Sequence, residues 1–521
     1  MRTESILKRL SLAFGLAVAV AASGPVTAAP GPSEQAVRAS LERIARRDDE
    51  LNAVIAVTPG AVEQAVARDR ERAAGRLRGP LHGVPVLIKD NIETRELPTT
   101  AGSLALAENA TGRDARLVAR LRDRGLVILG KTNLSEWANF RSERSSSGWS
   151  GVGGQTRNPH DPTRSPCGSS SGSAAAVAAG YVALAVGTET NGSVICPAAV
   201  NGIVGIKPTV GLVSRHGIVP IAHSQDTAGP MAANVRDAAY LLDAMADYDS
   251  ADPAAPRDRS VFSRHYADAL DPQGLAGKRI GVVRSLAGFH EGVDLAFEQA
   301  IADLAAGGAE IVDGLAMPDY PDGLGDAAYD VLLYEFKHDL NAYLAGLPGP
   351  EAELTLAGLI EFNRRHADAE MNWFRQEIFL KAQETDGLES AAYRQALQRV
   401  QSFSRAGIDD LLAEHELDLL ISPSNTPAWK IDLVVGDRWL GSSSSFPARA
   451  GYPHVTVPMG FVHDLPVGLS FYASAYAEPV LIAAAFAYEQ RSRRARPPRG
   501  YPEPPLAVPP EGVAPAADAV R

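Results

Sequence analysis

Cysteine is almost missing: the 521-residue chain holds only Cys167 and Cys196. No Cys/His cluster has zinc-ligand spacing and no HExxH occurs, so no metal centre is indicated. A basic excess is also lacking. The 50 Lys and Arg against 62 Asp and Glu leave a net charge of -12, which argues against a nucleic-acid partner and reads as a solvated acidic surface. Beyond the N-terminus no apolar run is long enough to suggest a membrane span, and no internal repeat is visible. What remains is an ordinary globular composition, 45% hydrophobic and 21% charged, with ample material for a large buried core.

The first residues read as a targeting segment. Lys8 and Arg9 form a charged start, residues 10–22 are uncharged and mostly apolar, and Val26-Thr27-Ala28 supplies small residues for cleavage. Residues 1–28 are therefore expected to be a signal peptide removed after Ala28, by the general secretory route because Lys8-Arg9 is not a twin-arginine pair. The mature protein is expected in the periplasm or outside the cell, with no stable membrane insertion.

Residues 33–75 read as helix, with Val37, Leu41 and Ile44 at helical spacing and a break at residues 58–60. Residues 84–88 form a short apolar strand between Gly83 and the charged Lys89. Residues 114–124 read as helix, 126–129 as strand and 134–139 as a short helix. Residues 236–246 continue the alternation as helix, and residues 278–283, 294–306 and 309–312 as strand, helix and strand. Such alternation argues for α/β layering. Helices are expected at 327–344, 354–365, 371–384 and 391–414, grouped as a cap. Strands at 417–421, 454–457 and 467–473 and a helix at 480–492 follow. The proline-rich residues 496–521 read as a disordered tail.

The chemistry concentrates in residues 164–208. Two polar loops, CGSSSGS at 167–173 and GTETNGS at 187–193, bracket a small, almost wholly apolar run. Both cysteines lie in or beside these loops. Spacing alone does not establish disulfide geometry, so the expectation is two free, buried cysteines. The serine loop has three readings. A Gly/Ser linker conflicts with its apolar flanks. A nucleophile elbow with Ser170 attacking fits G-x-S-x-G in letter, but it needs a strand directly before it. Residues 158–166, with three prolines, do not supply one.

The third reading comes from resemblance. GSSSGSAAAVAAG at 168–180 and GTETNGSV at 187–194 resemble the amidase signature family. So do GVPVLIKDN at 83–91, GKTNLSEW at 130–137, GIVGIKPTVG at 202–211, SQDTAGPM at 224–231 and PVGLSF at 466–471. The likeness spans residues 33–492. It implies a single α/β/α domain with a mixed, twisted central sheet covered by helices. It also implies a Ser-Ser-Lys triad, with Ser193 as nucleophile, Ser169 as bridge after a cis Gly168-Ser169 bond, and Lys89 as base. Buried Lys89 would be neutral when it acts. It would draw a proton through Ser169 from Ser193, which attacks the amide carbonyl. The backbone N–H groups of Thr190, Asn191, Gly192 and Ser193 would hold the oxyanion. No metal and no cofactor is required. Asp226 reads as a carboxylate that fixes its loop, Ser170 and Ser171 as structural, and His82, His216 and His223 as ordinary residues.

Departures from the commonest family pattern concern substrate. Cys167 and Ser171 stand where glycines are common, Asn191 stands at another glycine position, and Ile195 replaces an arginine. The run from Thr188 to Ala199, continued in SQDTAGPM, is similar to bacterial peptide amidases, which release ammonia from C-terminal peptide amides. The resemblance thus implies hydrolysis of carboxamides to carboxylate and ammonia, at the C-terminal amide of peptides; the expected partner is a small-molecule or peptide amide substrate, and the expected state a monomer or homodimer. General small-molecule or aryl amidase activity is the alternative, and a non-catalytic exported binding protein is an alternative of a different class.

Overall fold

The computed structural model describes residues 29–508. The expected signal peptide lies outside the described residues, as do residues 509–521. The strands are β1 (Val54–Val57), β2 (Pro85–Lys89), β3 (Val127–Thr132), the short ribbon β4 (Trp149–Ser150) and β5 (Gly154–Gln155), β6 (Leu184–Glu189), β7 (Val204–Lys207), β8 (Thr227–Ala232), β9 (Arg279–Val283), β10 (Glu310–Leu315), β11 (Leu419–Pro423), β12 (His454–Val462) and β13 (Leu465–Tyr472). The helices are α1 (Pro32–Leu51), α2 (Ala61–Ala73), α3 (Arg116–Asp123), α4 (Ser171–Ala178), α5 (Ile195–Asn201), α6 (Val235–Met245), α7 (Glu291–Ala306), α8 (Leu324–Ala345), α9 (Leu356–Arg365), α10 (Ala367–Glu370), α11 (Glu377–Glu384), α12 (Ala391–Glu414), α13 (Ser445–Ala450) and α14 (Glu478–Ser492).

All strands but the ribbon join one eleven-stranded sheet, in the order β1-β3-β2-β6-β8-β7-β12-β13-β11-β9-β10. β2 runs parallel to β3 and β6, whereas β8 lies antiparallel to β6 and β7. The sheet is therefore mixed, and helices cover both faces, as the family resemblance implies. Side chains alternate across a strand. Val86 and Ile88 of β2, with Leu184 and Val186 of β6, enter the core under α3, α6, α7 and α14. Leu87 and Ala185 enter the opposite core, with α1 and the alanines of α4. Lys89 shares the parity of Leu87, so the end of β2 aims it at the α4 side.

Four expectations need correction. Residues 33–75 are not helix throughout, because β1 intervenes. Asn52 adopts a left-handed conformation (φ 51°) that stops α1. The Asp48 carboxylate then accepts the N–H groups of Ala53 and Val54 at 3.0 and 2.9 Å, and VIAV pairs with β3. β8 had no strand signal, because Gly229 and Pro230 interrupt it. Gly229 is needed there: a Cβ would meet the Ile206 carbonyl oxygen at 2.0 Å. α13 forms within what reads as loop. The described part of the tail, residues 496–508, is fastened to the domain: the Asp237 carboxylate accepts the N–H groups of Ala507 and Val508, both at 3.0 Å, and Tyr501 packs against the α1/α4 core.

The expected cap exists. α8, α9 and α11 share an apolar cluster with Trp137, Phe140, Val219 and Ile221, and so roof the region where β2 and β6 end. Thr355 and Ser390 cap α9 and α12 with their hydroxyl oxygens. Among the described residues no helix is long and apolar enough to cross a membrane.

Candidate active site

Lys89, at the end of β2, is wholly buried. Its Nζ lies 2.7 Å from Ser169 Oγ, and the Gly168-Ser169 peptide bond is cis. Nζ also donates to the Thr188 carbonyl at 3.2 Å and to Thr188 Oγ1 at 2.8 Å. Asn91 Nδ2 donates to the same Oγ1 at 3.0 Å. Burial lowers the Lys89 pKa from 10.5 to about 7, against the opposing pull of Asp226 and Glu189. A neutral amine has two N–H groups, and both find acceptors on Thr188. Its lone pair is then left to face Ser169. That is the geometry of a base poised to take a hydroxyl proton.

The second polar loop leaves β6 and enters α5. Glu189, buried at the end of β6, turns the chain: its Oε2 accepts the N–H groups of Val194 and Ile195 at 2.8 and 3.0 Å. This is a carboxylate on a helix N-terminus, where free donors cluster. Thr190 Oγ1 donates to Asp226 Oδ1 at 2.6 Å, and Asp226 Oδ2 accepts the N–H groups of Ile221 and Ala222 at 2.8 and 2.9 Å. Asp226 thus fixes its loop, with its pKa pushed up to about 6 by burial. Ser444 Oγ donates to Asn191 Oδ1 at 2.7 Å. Gly192 sits at φ 85°, a left-handed position that glycine takes without strain, and a Cβ there would lie 3.0 Å from Ser444 Oγ. Among the described residues, none accepts a hydrogen bond from the backbone N–H of Asn191, Gly192 or Ser193.

The two loops touch directly. Ser170 N–H donates to the Ser193 carbonyl at 3.2 Å. Ser170 Oγ is tied to the backbone of Thr188 at both ends, donating to its carbonyl at 3.0 Å and accepting its N–H at 3.1 Å. Ser171 Oγ donates to the Cys167 carbonyl at 2.7 Å. These are the structural roles expected of the two serines. The sequence-predicted residues are thus brought together in part. Lys89 and Ser169 meet, while Ser193 joins through its backbone, and its hydroxyl makes no hydrogen bond to Ser169. Ser193 is 8% exposed and lines a cavity of about 360 Å³ together with Gly168, Thr190, Asn191 and Gly192.

The cysteines correct another expectation. Cys167 and Cys196 form a disulfide with Cα atoms 6.0 Å apart, not a pair of free thiols. The physical reason is the contact between the loops. Cys167 immediately precedes Gly168-Ser169, and Cys196 lies in the first turn of α5, its N–H bonded to the Gly192 carbonyl at 2.8 Å. Asn201 Nδ2 donates to the Pro166 carbonyl at 2.9 Å and holds the far end of α5 on the same loop. None of this follows from spacing. Thr188 and Glu189 were likewise missed as working residues, although their place inside GTETNGS was the available signal.

His82 is buried with its Nε2 2.9 Å from the Arg68 carbonyl oxygen, a structural role. His223, Glu335 and Asp339 offer ligand atoms within 4.8 Å of one another, a spacing that could hold a metal ion. Protein groups already use those atoms. Asp339 Oδ2 accepts from the His223 N–H at 2.9 Å and lies 2.8 Å from its Nδ1. Glu335 accepts from Ser224 Oγ at 2.8 Å and from the Tyr393 hydroxyl at 2.7 Å. The cluster fastens cap helices α8 and α12 to the loop that carries Asp226.

Known proteins share the fold and much of the sequence. The native peptide amidase from Stenotrophomonas maltophilia superposes with a TM-score of 0.86 and 49% identity, over 90% of this chain and 95% of that one. An amidase family protein from Bacillus anthracis superposes with a TM-score of 0.81 and 34% identity, over 90% of this chain and 89% of that one. A probable amidase of Arabidopsis thaliana is 41% identical over 477 residues, 90% of this chain and 88% of its own. The Amidase family model matches residues 35–482. The family match and these likenesses make the chain an amide-hydrolysing enzyme, and it belongs to the amidase family.

Proposed function

We propose that the enzyme hydrolyses the C-terminal amide of peptides through Ser193, Ser169 and Lys89. The observation that carries the reading is Lys89, buried, with its pKa lowered to about 7 and Nζ 2.7 Å from Ser169 Oγ. The neutral amine takes the Ser169 proton as Ser169 takes that of Ser193. Ser193 Oγ bonds to the amide carbon, and the carbonyl oxygen becomes an oxyanion. The N–H groups of Asn191, Gly192 and Ser193, with that of Thr190, stabilise this charge. The C–N bond then breaks, and ammonia departs with the proton returned from Lys89 through Ser169. Water attacks the resulting ester, Lys89 again accepting its proton by the same route, and the carboxylate leaves as Ser193 is restored.

The peptide assignment draws support from the likeness to the peptide amidase. The Cys167–Cys196 disulfide supports export, since such bonds persist in oxidising compartments. Ammonia release from C-terminally amidated peptides, simple amides and internal peptide bonds tests the reading. We expect release from peptide amides, abolished by Ser193→Ala. Activity confined to simple amides would discard the peptide assignment and retain an amidase of small molecules.

A further inference from the structure

Eleven large apolar side chains are exposed among the described residues, and four of them lie in one loop of residues 431–442. These are Val434, Val435, Trp439 and Leu440, exposed by 78, 51, 62 and 61%. Scattered apolar residues on a surface need no explanation, but a contiguous group marks a place of contact. Of the four, Trp439 lines the same cavity as Ser193.

The loop is held rather than loose. Asp437 accepts the indole N–H of Trp429 at 2.9 Å and the backbone N–H of Ser147 at 3.1 Å. Asp432 Oδ1 accepts the N–H groups of Val434 and Val435 at 3.0 and 2.9 Å, and its carbonyl accepts that of Gly436 at 2.9 Å. Ile431 N–H donates to the Thr163 carbonyl at 3.1 Å, and Ser442 pairs with Asn425 at the other end. Two residues further on, Ser444 touches Asn191 of the turn before Ser193. The held loop that carries Trp439 is thereby attached to the reacting end of the cavity. At about 360 Å³ the cavity is near the lower end of ligand pockets, which run from about 300 to 1,000 Å³. A peptide that places its amidated end at Ser193 must continue across the rim.

We propose that Trp439 is a specificity-determining residue, whose indole receives an apolar side chain on the residue preceding the amidated one. The inference rests on the peptide-amide reading and adds a preference to it. A rigid aromatic side chain contributes large contact area with few rotamers to freeze. Burying a leucine against it favours the complex by area removed from water, which glycine at the same place does not supply.

The test compares kcat/KM for N-acetyl-Leu-Ala-amide and N-acetyl-Gly-Ala-amide. The wild type is expected to favour the leucine substrate by tenfold or more, mainly through KM. Trp439→Ala should reduce that ratio about tenfold and Trp439→Phe should keep most of it. Leu295→Ala, equally exposed but on α7, should leave it alone. An unchanged ratio in Trp439→Ala overturns the proposal. If the wild type cleaves neither peptide, the peptide-amide reading fails, and the same two compounds are tested as competitive inhibitors of benzamide hydrolysis. A leucine preference in Ki that Trp439→Ala removes sustains the role of Trp439, and equal Ki values in the wild type overturn it. Sedimentation with phosphatidylcholine vesicles that depends on Trp439, with the peptide ratio unchanged, would make the loop a lipid contact and overturn it too.

Discussion

Gly192 and Trp439 line the same cavity, yet one belongs to a closely hydrogen-bonded floor and the other to an exposed apolar loop, the wall. On the floor, Lys89, Thr188, Ser170 and Glu189 are buried, Asp226 is half-buried, and all are hydrogen-bonded to one another or to backbone. On the wall, backbone and carboxylate bonds hold the loop, while its apolar side chains meet solvent. The floor fixes where individual atoms stand, which is what transition-state stabilisation requires. The wall offers surface, which binds without caring about a few tenths of an ångström. Changes to the floor should therefore lower turnover of every amide, and changes to the wall should alter only the choice among them.

The largest effect expected is on the floor. Ser193→Ala should reduce kcat by about 10⁴-fold or more on peptide and simple amides alike, since members of a triad act as a unit. Lys89→Met should fall in the same range. Ammonia release from purified, folded variants is the measurement. A loss restricted to one substrate class would erase the distinction between floor and wall.

Next comes the covalent tie beneath the floor. The disulfide closes a loop over a sequence separation of 29. Cys167→Ser should lower stability by about 2–4 kcal/mol, read by thermal or urea unfolding, and should depress activity on all amides together. Unaltered stability would mean that the neighbouring contacts, such as Asn201 to Pro166, suffice alone.

A smaller effect concerns pH. Lys89 must be neutral to act, and its pKa is about 7. Below that value it is protonated, so kcat/KM should rise about tenfold from pH 6 to pH 8 and flatten above. The indole of Trp439 does not titrate, and Asp437, which lines the same cavity, is held by Ser147 and Trp429, so the Leu/Gly preference assigned to Trp439 should be constant across that range. A preference that changes with pH would show that wall and floor are coupled.

The floor was legible in the sequence, and the wall was not. Small residues recur in CGSSSGS and GTETNGS because backbone must approach backbone there, and that demand leaves its mark on residue type. The unbroken apolar run Val86-Leu87-Ile88 marked a buried strand ending at Lys89 but not which face Lys89 would join, since all three residues are apolar; the two cores decide that. β8 was hidden because Gly229 and Pro230 break a strand pattern, although a close approach to Ile206 is what calls for the glycine. β1 was hidden because one left-handed Asn52 converts helix to strand within two residues. The disulfide and the wall depend on which distant loops meet. Asp437 anchors the wall to Ser147 across 290 positions, and no local pattern records such a contact. The placement of Ala507 and Val508 depends on Asp237 in the same way.

The most direct trial of the triad is to find which serine becomes covalently modified. The enzyme would be inactivated with phenylmethylsulfonyl fluoride, digested, and its peptides sequenced by mass spectrometry. Modification on Ser193, in proportion to lost ammonia release, is the expected result. Modification on Ser170 or Ser169 with Ser193 untouched would contradict the assignment of Ser193 as nucleophile, and on Ser170 it would return the serine loop to the elbow reading.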